Sequence, residues 1–206
     1  MSAGTMLLAL ALAFAQEPAA APRAVALERE GRPRLALVLV VDQLIPEQVP
    51  RLLPVLDGGL ATLWNEGLVL ESAALAHGLS FTAPGHVSAG TGVVPRRHGV
   101  VANGWIDAER KRSVYCCEDD DVRRVDGDGV HEDARDQRRS PVLCRVDGIA
   151  DFVGEAFPGA RTISISGKDR AAIGPAGRHP PLALWWDKSR GPGFATSTWY
   201  APDLPG

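Results

Sequence analysis

The segment that most constrains the fold is an unbroken apolar run that ends in an acid. Residues 35–43 read LALVLVVDQ, without alternation between apolar and polar positions. Such a run is typical of a strand buried on both faces, as in a parallel sheet covered by helices. It predicts an α/β fold with Asp42 at the carboxyl end of the strand, where open α/β sheets bind their ligands.

The remaining chain alternates between predicted helices and strands. Leucine spacing predicts a helix over 48–66, broken near Pro50 and Pro54 and ended by Gly67. A strand is predicted at LVLESAAL, and Asp147 is predicted to cap a further helix. RTISIS is predicted as an interior strand, and LALWWD with FATSTWY as a β-hairpin. This alternation predicts an α/β sandwich with a mostly parallel sheet.

Two segments depart from this alternation. Residues 1–15 read as a secretory signal peptide, because a short apolar run precedes the small-x-small sequence Ala13, Phe14, Ala15. Residues 16–33 are predicted as a linker, which leaves 34–206 as the domain; the alternative for the leader is a buried N-terminal helix. The charged residues 107–140 are predicted as a solvated loop insertion, with a calcium loop as the weaker alternative because EF-hand spacing is absent.

Composition narrows the possible partners and the compartment. The 206 residues carry a formal net charge of -3, which argues against general attraction to nucleic acid or to an anionic membrane. A signal peptide implies export, and the bacterial periplasm is the expected location. There, either Cys116 or Cys117 could bond Cys144. A zinc–cysteine cluster is the alternative, but it lacks a C-x-x-C spacing.

Three polar positions follow predicted strands: Asp42, Thr82 and the pair Lys168 and Arg170. Each alone is typical of a cap or a surface turn, but together they favour phosphoryl chemistry. A helix N-terminus stabilises a bound anion, and a threonine hydroxyl needs a metal ion to become a nucleophile near neutral pH. Asp42 could be a metal ligand, and the Lys168 and Arg170 side chains could donate to phosphate oxygens.

These motifs resemble a known family. LVVDQ, FTAPGHVSAGTGVVPRRHGVVANGW and SGKDRAAIGPAG are similar to the alkaline phosphatase superfamily. The similarity is to the threonine-nucleophile phosphate-monoesterase branch, close to the type I phosphodiesterases and nucleotide pyrophosphatases. It extends over most of the chain after Pro33. The implied fold is the N-terminal part of an alkaline-phosphatase-like α/β/α sandwich.

The resemblance also implies roles for individual residues. Thr82 would be the nucleophile, would form a covalent phosphothreonine and would share a zinc ion with Asp42. Asn103, together with the backbone N–H of Ala83, would hold a phosphate oxygen. The substrate would be a small phosphate ester, with no nucleic acid and no membrane as partner after signal removal.

Lys168 and Arg170 resemble the pair that contacts phosphoryl oxygens in the monoesterase branch. Related diesterases generally lack this pair, so the resemblance favours monoesters. His86 and His98 fit the motif but are expected to be structural, with His86 bracing the first turn of the helix that Thr82 begins.

The ligand set departs from the family pattern. Two zinc ions need roughly six or seven protein ligands. In this sequence, Asp42 and Thr82 are the two residues that match the family's ligand positions. By the resemblance, the family's remaining ligands, an Asp-x-x-x-His, an Asp-His and a later His, would come from a C-terminal half that is expected to be absent from this chain. The chain is therefore expected to be an N-terminal fragment that is inactive alone. Two alternatives remain: a phosphodiesterase or nucleotide pyrophosphatase, and a non-catalytic exported phosphate-binding domain.

Overall fold

A computed structural model describes residues 34–70, 72–179 and 182–205. The predicted signal peptide and the predicted linker, residues 1–33, lie outside these residues. The chain divides into two units, residues 1–39 and 40–206. The described part of the first unit, residues 34–39, is irregular, and all of the elements below belong to the second.

The strand predicted at 35–43 is wrong. Residues 34–47 form neither helix nor strand, and their apolar side chains are exposed. The predicted strand LVLESAAL is likewise irregular at its described positions, 68–70 and 72–75. A strand is stabilised by backbone hydrogen bonds to a neighbouring strand, and no described strand pairs with either segment. Apolar composition cannot replace that partner.

The predicted broken helix over 48–66 is confirmed. It consists of helix α1 (Gln48–Leu52), a 3₁₀ turn (Leu53–Val55) and helix α2 (Gly59–Glu66). Pro54 lies in the first turn of the 3₁₀ segment, where a missing N–H costs nothing. Gly67 follows α2 and donates its N–H to the carbonyl of Leu63 at 3.0 Å.

Two helices follow in the motif region. Helix α3 (Thr82–Thr91) begins after an extended Phe81, and Gly92 ends it with φ 70°, a left-handed conformation that favours glycine. Helix α4 (Pro95–His98) ends in the same way at Gly99. The prediction that Thr82 begins a helix is therefore confirmed.

The charged stretch 107–140 is folded, so its prediction as a loop is wrong. Strands β1 (Gly104–Asp107) and β2 (Arg112–Tyr115) form an antiparallel hairpin. Strands β3 (Arg124–Asp126) and β4 (Gly129–His131) form a second one. A 3₁₀ turn (Arg135–Gln137) follows.

Ion pairs explain why this charged stretch can be ordered. The side chain of Arg124 is 2% exposed. Its Nε donates to Asp126 at 2.8 Å, and its Nη1 donates to Asp187, 63 positions away. A buried guanidinium needs such partners, and these fix β3 beside the strand that carries Asp187.

The last third of the unit alternates as predicted. It contains helices α5 (Ile149–Ala156) and α6 (Asp169–Ala176) and strands β5 (Ile163–Ser166), β6 (Leu182–Asp187) and β7 (Gly193–Ser197). The predicted cap of α5 is displaced by one residue, because Gly148 rather than Asp147 precedes the helix. The side chain of Asp151 accepts the Gly148 N–H at 2.7 Å.

The main sheet is mixed. Its strand order is β4-β3-β7-β6-β5, and β5–β6 is the single parallel pair among these strands. The α/β class is confirmed, but the described sheet is not mostly parallel. The β6–β7 hairpin is confirmed, whereas β5 is an edge strand with Ile163 and Ile165 exposed rather than an interior one. No helix of the described residues is long and apolar enough to cross a membrane.

Small residues allow α3 and α6 to pack at close range. A Cβ added at Gly90 would lie 2.7 Å from the Cα of Pro175, and one at Gly174 would lie 3.0 Å from the Cβ of His86. Both distances are shorter than ordinary carbon–carbon contact. The small residues of α3 are therefore needed at its interface with α6.

Candidate functional site

Thr82 and Asp42 are in direct contact. Thr82 is the first residue of α3, and its Oγ1 donates to Oδ2 of Asp42 at 3.0 Å, in an exposed position. Asp42 reaches Thr82 from an irregular segment rather than from a strand end. The two residues predicted to act together are thus adjacent, although the strand predicted to carry Asp42 is absent.

Asn103 lies beside the first turn of α3. It immediately precedes β1, and its Oδ1 accepts the backbone N–H of Ala83 at 2.8 Å. The next residue, Pro84, has no N–H to offer. In this structure the Ala83 N–H is thus engaged by Asn103, while the Asn103 amide nitrogen has no hydrogen-bond partner among the described residues. The two groups that the family resemblance assigns to one phosphate oxygen therefore lie together.

Lys168 and Arg170 lie at the start of α6, two and four residues after the end of β5. Lys168 precedes the helix and is exposed, and its ammonium group has no ion-pair partner in the described part of the chain. Arg170 lies in the first turn and lines a cavity of about 20 Å³ together with Ala83. Because α3 packs closely against α6, Arg170 and Ala83, the residue after Thr82, line the same cavity.

Arg170 is held by a neutral partner. Its Nη1 donates to the hydroxyl of Tyr115 at 2.9 Å, and its Nε is buried without a hydrogen-bond partner in the described residues. Burial opposes its charge, but the hydrogen bond that Arg170 donates to Tyr115 and the nearby charge of Asp169 outweigh this and raise the pKa of Arg170. The side chain is a cation at any physiological pH.

The two motif histidines are structural, as expected. The Nδ1 of His86 hydrogen-bonds the carbonyl of Thr82 at 2.8 Å and braces the first turn of α3. His98 is fully buried, with Nε2 3.1 Å from the hydroxyl of Ser88 and Nδ1 accepting the Val100 N–H at 3.2 Å. Burial, and then the charge of His77, lower the pKa of His98, so its ring is neutral.

The three cysteines are free and buried. Cys116, Cys117 and Cys144 line the same cavity as Ala83 and Arg170. Burial raises the pKa of Cys117 and of Cys144, which favours the protonated thiol at both positions. Neither the disulfide to Cys144 nor a cysteine cluster forms in this structure.

Asp42 and Thr82 are the residues expected to bind zinc. Over residues 34–70, 72–179 and 182–205, no group of three or more His, Cys, Asp or Glu side chains could hold a metal ion. Asp42 and Thr82 offer two adjacent oxygen donors, whereas zinc in proteins takes four or more ligands. The donor chemistry fits zinc, but the donor count does not complete a site.

Sequence reasoning missed the residues around Arg170. Tyr115, Arg139 and Asp169 form one hydrogen-bonded group with it. Asp169 has a signal in the sequence, because it lies between Lys168 and Arg170, the two cations predicted to bind phosphate. Tyr115 and Arg139 carry no motif, and both lie in the stretch that was predicted to be a loop or at its border.

The geometry of these residues indicates the class of ligand that the site could bind. A hydroxyl and a carboxylate meet at a helix N-terminus, with an arginine alongside, on an α/β scaffold. Such an arrangement suits an oxyanion such as a phosphate group. The family model for type I phosphodiesterase / nucleotide pyrophosphatase matches residues 36–166. The chain belongs to this family, as an N-terminal part within the alkaline phosphatase superfamily.

Individual relatives agree with that membership. The chain is 36% identical over 176 residues to alkaline phosphatase PafA of Elizabethkingia meningoseptica, covering 84% of this chain and 31% of the relative. It is 35% identical over 191 residues to alkaline phosphatase PhoV of Synechococcus elongatus, covering 92% and 33%. The chain thus spans about a third of the length of these relatives.

A solved structure is also similar. It is the crystal structure of a PafA variant in which a threonine, an asparagine, a lysine and an arginine are replaced. It matches with a TM-score of 0.56 and 35% identity, over 61% of this chain and 24% of that one.

Proposed function

We propose that the chain contributes the nucleophile and the phosphate-binding residues of a hydrolase for phosphate monoesters. The observation that carries this proposal is the contact between the Thr82 hydroxyl and the Asp42 carboxylate at the N-terminus of α3, 3.0 Å apart. The partial positive charge of a helix N-terminus stabilises the anionic substrate and the developing negative charge on oxygen.

In this mechanism each residue has a defined task. The Thr82 hydroxyl loses its proton to solvent, and its oxygen attacks the phosphorus. The bond from phosphorus to the ester oxygen breaks, and the alcohol leaves with a proton from solvent. Water later cleaves the phosphothreonine, which releases inorganic phosphate and restores the hydroxyl. The free amide nitrogen of Asn103 donates to one phosphoryl oxygen, and the Arg170 guanidinium and the Lys168 ammonium bind others. Asp42 orients the hydroxyl. Zinc bound by Asp42, Thr82 and donors from outside the described residues would activate this hydroxyl.

Two observations support monoesters. The relatives named above are alkaline phosphatases. The four residues replaced in the PafA variant have the residue types of Thr82, Asn103, Lys168 and Arg170, with the same spacing within the Thr/Asn and the Lys/Arg pairs. The second candidate, a phosphodiesterase or nucleotide pyrophosphatase, is favoured by the name of the matching family.

Paired substitutions separate these two candidates. The active enzyme is the form of the protein that carries the full set of metal ligands. In this enzyme, Lys168→Ala with Arg170→Ala should lower kcat/KM for p-nitrophenyl phosphate at least about tenfold more than for bis-p-nitrophenyl phosphate. The reason is that a monoester exposes one more charged oxygen, and a hydrogen bond to a charged group contributes about 1.5–3 kcal/mol. Lys188→Ala with Arg190→Ala, the same spacing in the exposed β6–β7 turn, is the matched control. Equal losses on both esters would contradict the monoester assignment.

A non-catalytic phosphate-binding domain is the alternative from another class. Calorimetry on a form of the protein that supplies the remaining metal ligands separates it from the enzyme, because a competent two-metal site takes about two zinc ions, whereas a binding domain takes none. Two donors are too few for such a site, so we propose that the 206-residue chain alone has little activity. Strong zinc-dependent turnover of p-nitrophenyl phosphate by this chain would contradict the ligand count.

We also propose export to the periplasm, on the basis of the signal peptide predicted at residues 1–15. Cell fractionation and the N-terminal sequence of the mature protein test this proposal. Recovery of the intact N-terminus in the cytoplasmic fraction would contradict it.

A further inference from the structure

The hydroxyl of Tyr115 links Arg170 to a carboxylate. It donates its proton to Oδ1 of Asp169 at 2.7 Å, and it accepts a hydrogen bond from Nη1 of Arg170 at 2.9 Å. A carboxylate can only accept, and a guanidinium can only donate. The two neighbours therefore fix the direction of both hydrogen bonds, and with it the orientation of the Arg170 side chain.

The charge of Asp169 is matched by a different arginine. Arg139 donates its Nε to Oδ2 of Asp169 at 2.7 Å, and its guanidinium carbon lies 4.7 Å from the centroid of the Tyr115 ring. Arg170 Nη1 is 3.9 Å from Oδ1 of Asp169, too far for a hydrogen bond. Arg139 thus forms the hydrogen-bonded ion pair with Asp169, whereas Arg170 has a longer ion-pair contact with Asp169 and is hydrogen-bonded to the neutral phenol.

We propose that Tyr115 is a positioning residue that fixes the Arg170 guanidinium for a phosphoryl group while keeping it out of a direct hydrogen bond to the Asp169 carboxylate. This inference rests on the proposed phosphate contact of Arg170. A direct ion pair with a carboxylate would fix the guanidinium equally well. However, it would neutralise the charge that a bound phosphate needs, so a neutral partner serves the site better.

The surroundings of the network support this role. The side chains of Arg139 and Asp169 are each 17% exposed, and that of Arg170 is 23% exposed, so the network is shielded while Arg170 keeps access to solvent. Arg170 lines the cavity that Ala83 also lines, next to the start of α3. Burial, and then the negative charge of Asp169, raise the pKa of Tyr115, so its hydroxyl stays protonated in alkaline solution.

Removing one oxygen atom tests the proposal. Without the hydroxyl, Arg170 has Asp169 as its nearest partner, so Tyr115→Phe should convert the arrangement into a direct ion pair. In the active enzyme we expect about a tenfold loss of kcat/KM for p-nitrophenyl phosphate, with a smaller loss for the corresponding diester. In the Arg170→Ala background, Tyr115→Phe should cause no further loss, because the two residues act as a unit.

Tyr200→Phe is the matched control. Its hydroxyl is buried and has no hydrogen-bond partner in the residues described, so the same deletion there should leave both rates unchanged. Thermal unfolding of each variant separates a loss of positioning from a loss of fold. A monoester rate that is unchanged in Tyr115→Phe, or an additive loss in the double variant, would overturn the proposal.

A second measurement needs no turnover. In the 206-residue chain, the Nε–H proton of Arg170 should exchange slowly with water, and it should exchange faster in Tyr115→Phe but not in Tyr200→Phe. Equal exchange in the wild type and in Tyr115→Phe would contradict the positioning role. If instead Arg170→Ala itself leaves monoester hydrolysis intact, the proposed phosphate contact fails, whatever Tyr115 does.

Discussion

Replacing Gly90 by alanine tests whether the approach of α3 to α6 holds the site together. A Cβ at this position would lie 2.7 Å from the Cα of Pro175 and 3.0 Å from the carbonyl oxygen of Gly174. Both are backbone atoms, so no side-chain rotation can relieve the contact. Because ordinary carbon–carbon contact is about 3.5–4.0 Å, the helices must separate by nearly 1 Å at this point, roughly the difference between the two distances.

The magnitude follows from two opposing contributions. Alanine is favoured over glycine in a helix interior by about 1 kcal/mol, whereas overpacking a well-packed site costs about 1–3 kcal/mol. Gly85→Ala isolates the second contribution, because Gly85 lies in the same helix and an added Cβ there has nothing within 4 Å. The helix preference cancels between the two variants, so Gly90→Ala should be the less stable by about 1–3 kcal/mol.

Chemical denaturation of the 206-residue chain and of both variants measures this difference directly. Thermal unfolding gives a second reading, since 1 kcal/mol corresponds to about 2–4 °C in Tm for a chain of this size. If Gly90→Ala is as stable as Gly85→Ala, then α3 and α6 are not in close contact at Gly90, and the placement of Arg170 beside α3 loses its support.

Two further predictions concern polar groups that are half-buried or buried. The Asp151 carboxylate accepts three backbone N–H groups at 2.7–2.9 Å, those of Gly148, Arg178 and His179. Asp151→Asn should therefore lower the free energy of unfolding by about 2–3 kcal/mol. The exposed Asp203→Asn is the control and should leave it unchanged. Burial lowers the pKa of His98 from 6.5, so just below pH 6.5 the unfolded chain binds more protons than the folded chain. The free energy of unfolding should therefore decrease as the pH is lowered through this range. In His98→Gln this part of the pH dependence should vanish; an unchanged slope between pH 7 and pH 5 would refute it.

Local sequence patterns predicted the elements whose stability is decided locally. The start of α3 at Thr82, the break near Pro54 and the β6–β7 hairpin follow from turn and capping chemistry that lies within a few residues. The contact of Thr82 with Asp42, 40 positions apart, follows from the family motif rather than from a local pattern.

Long-range partners explain the failures. The apolar run at 35–43 has no strand beside it in the described residues, so composition alone predicted a strand that is not formed. The charged stretch is ordered because Arg124 finds Asp187, 63 positions away, and Tyr115 finds Asp169, 54 positions away. No pattern within one segment shows such pairings, so the network around Arg170 could not be predicted from the sequence.

The central claim is that Thr82 is the nucleophile. Acid quenching of the active enzyme during turnover of a radiolabelled phosphate monoester, followed by peptide mapping, tests it most directly. We predict that the label is bound covalently to the peptide that contains Thr82, that it persists on the serine of Thr82→Ser, and that it is absent from Thr82→Ala. Label on another residue, or retained label in Thr82→Ala, would contradict the account.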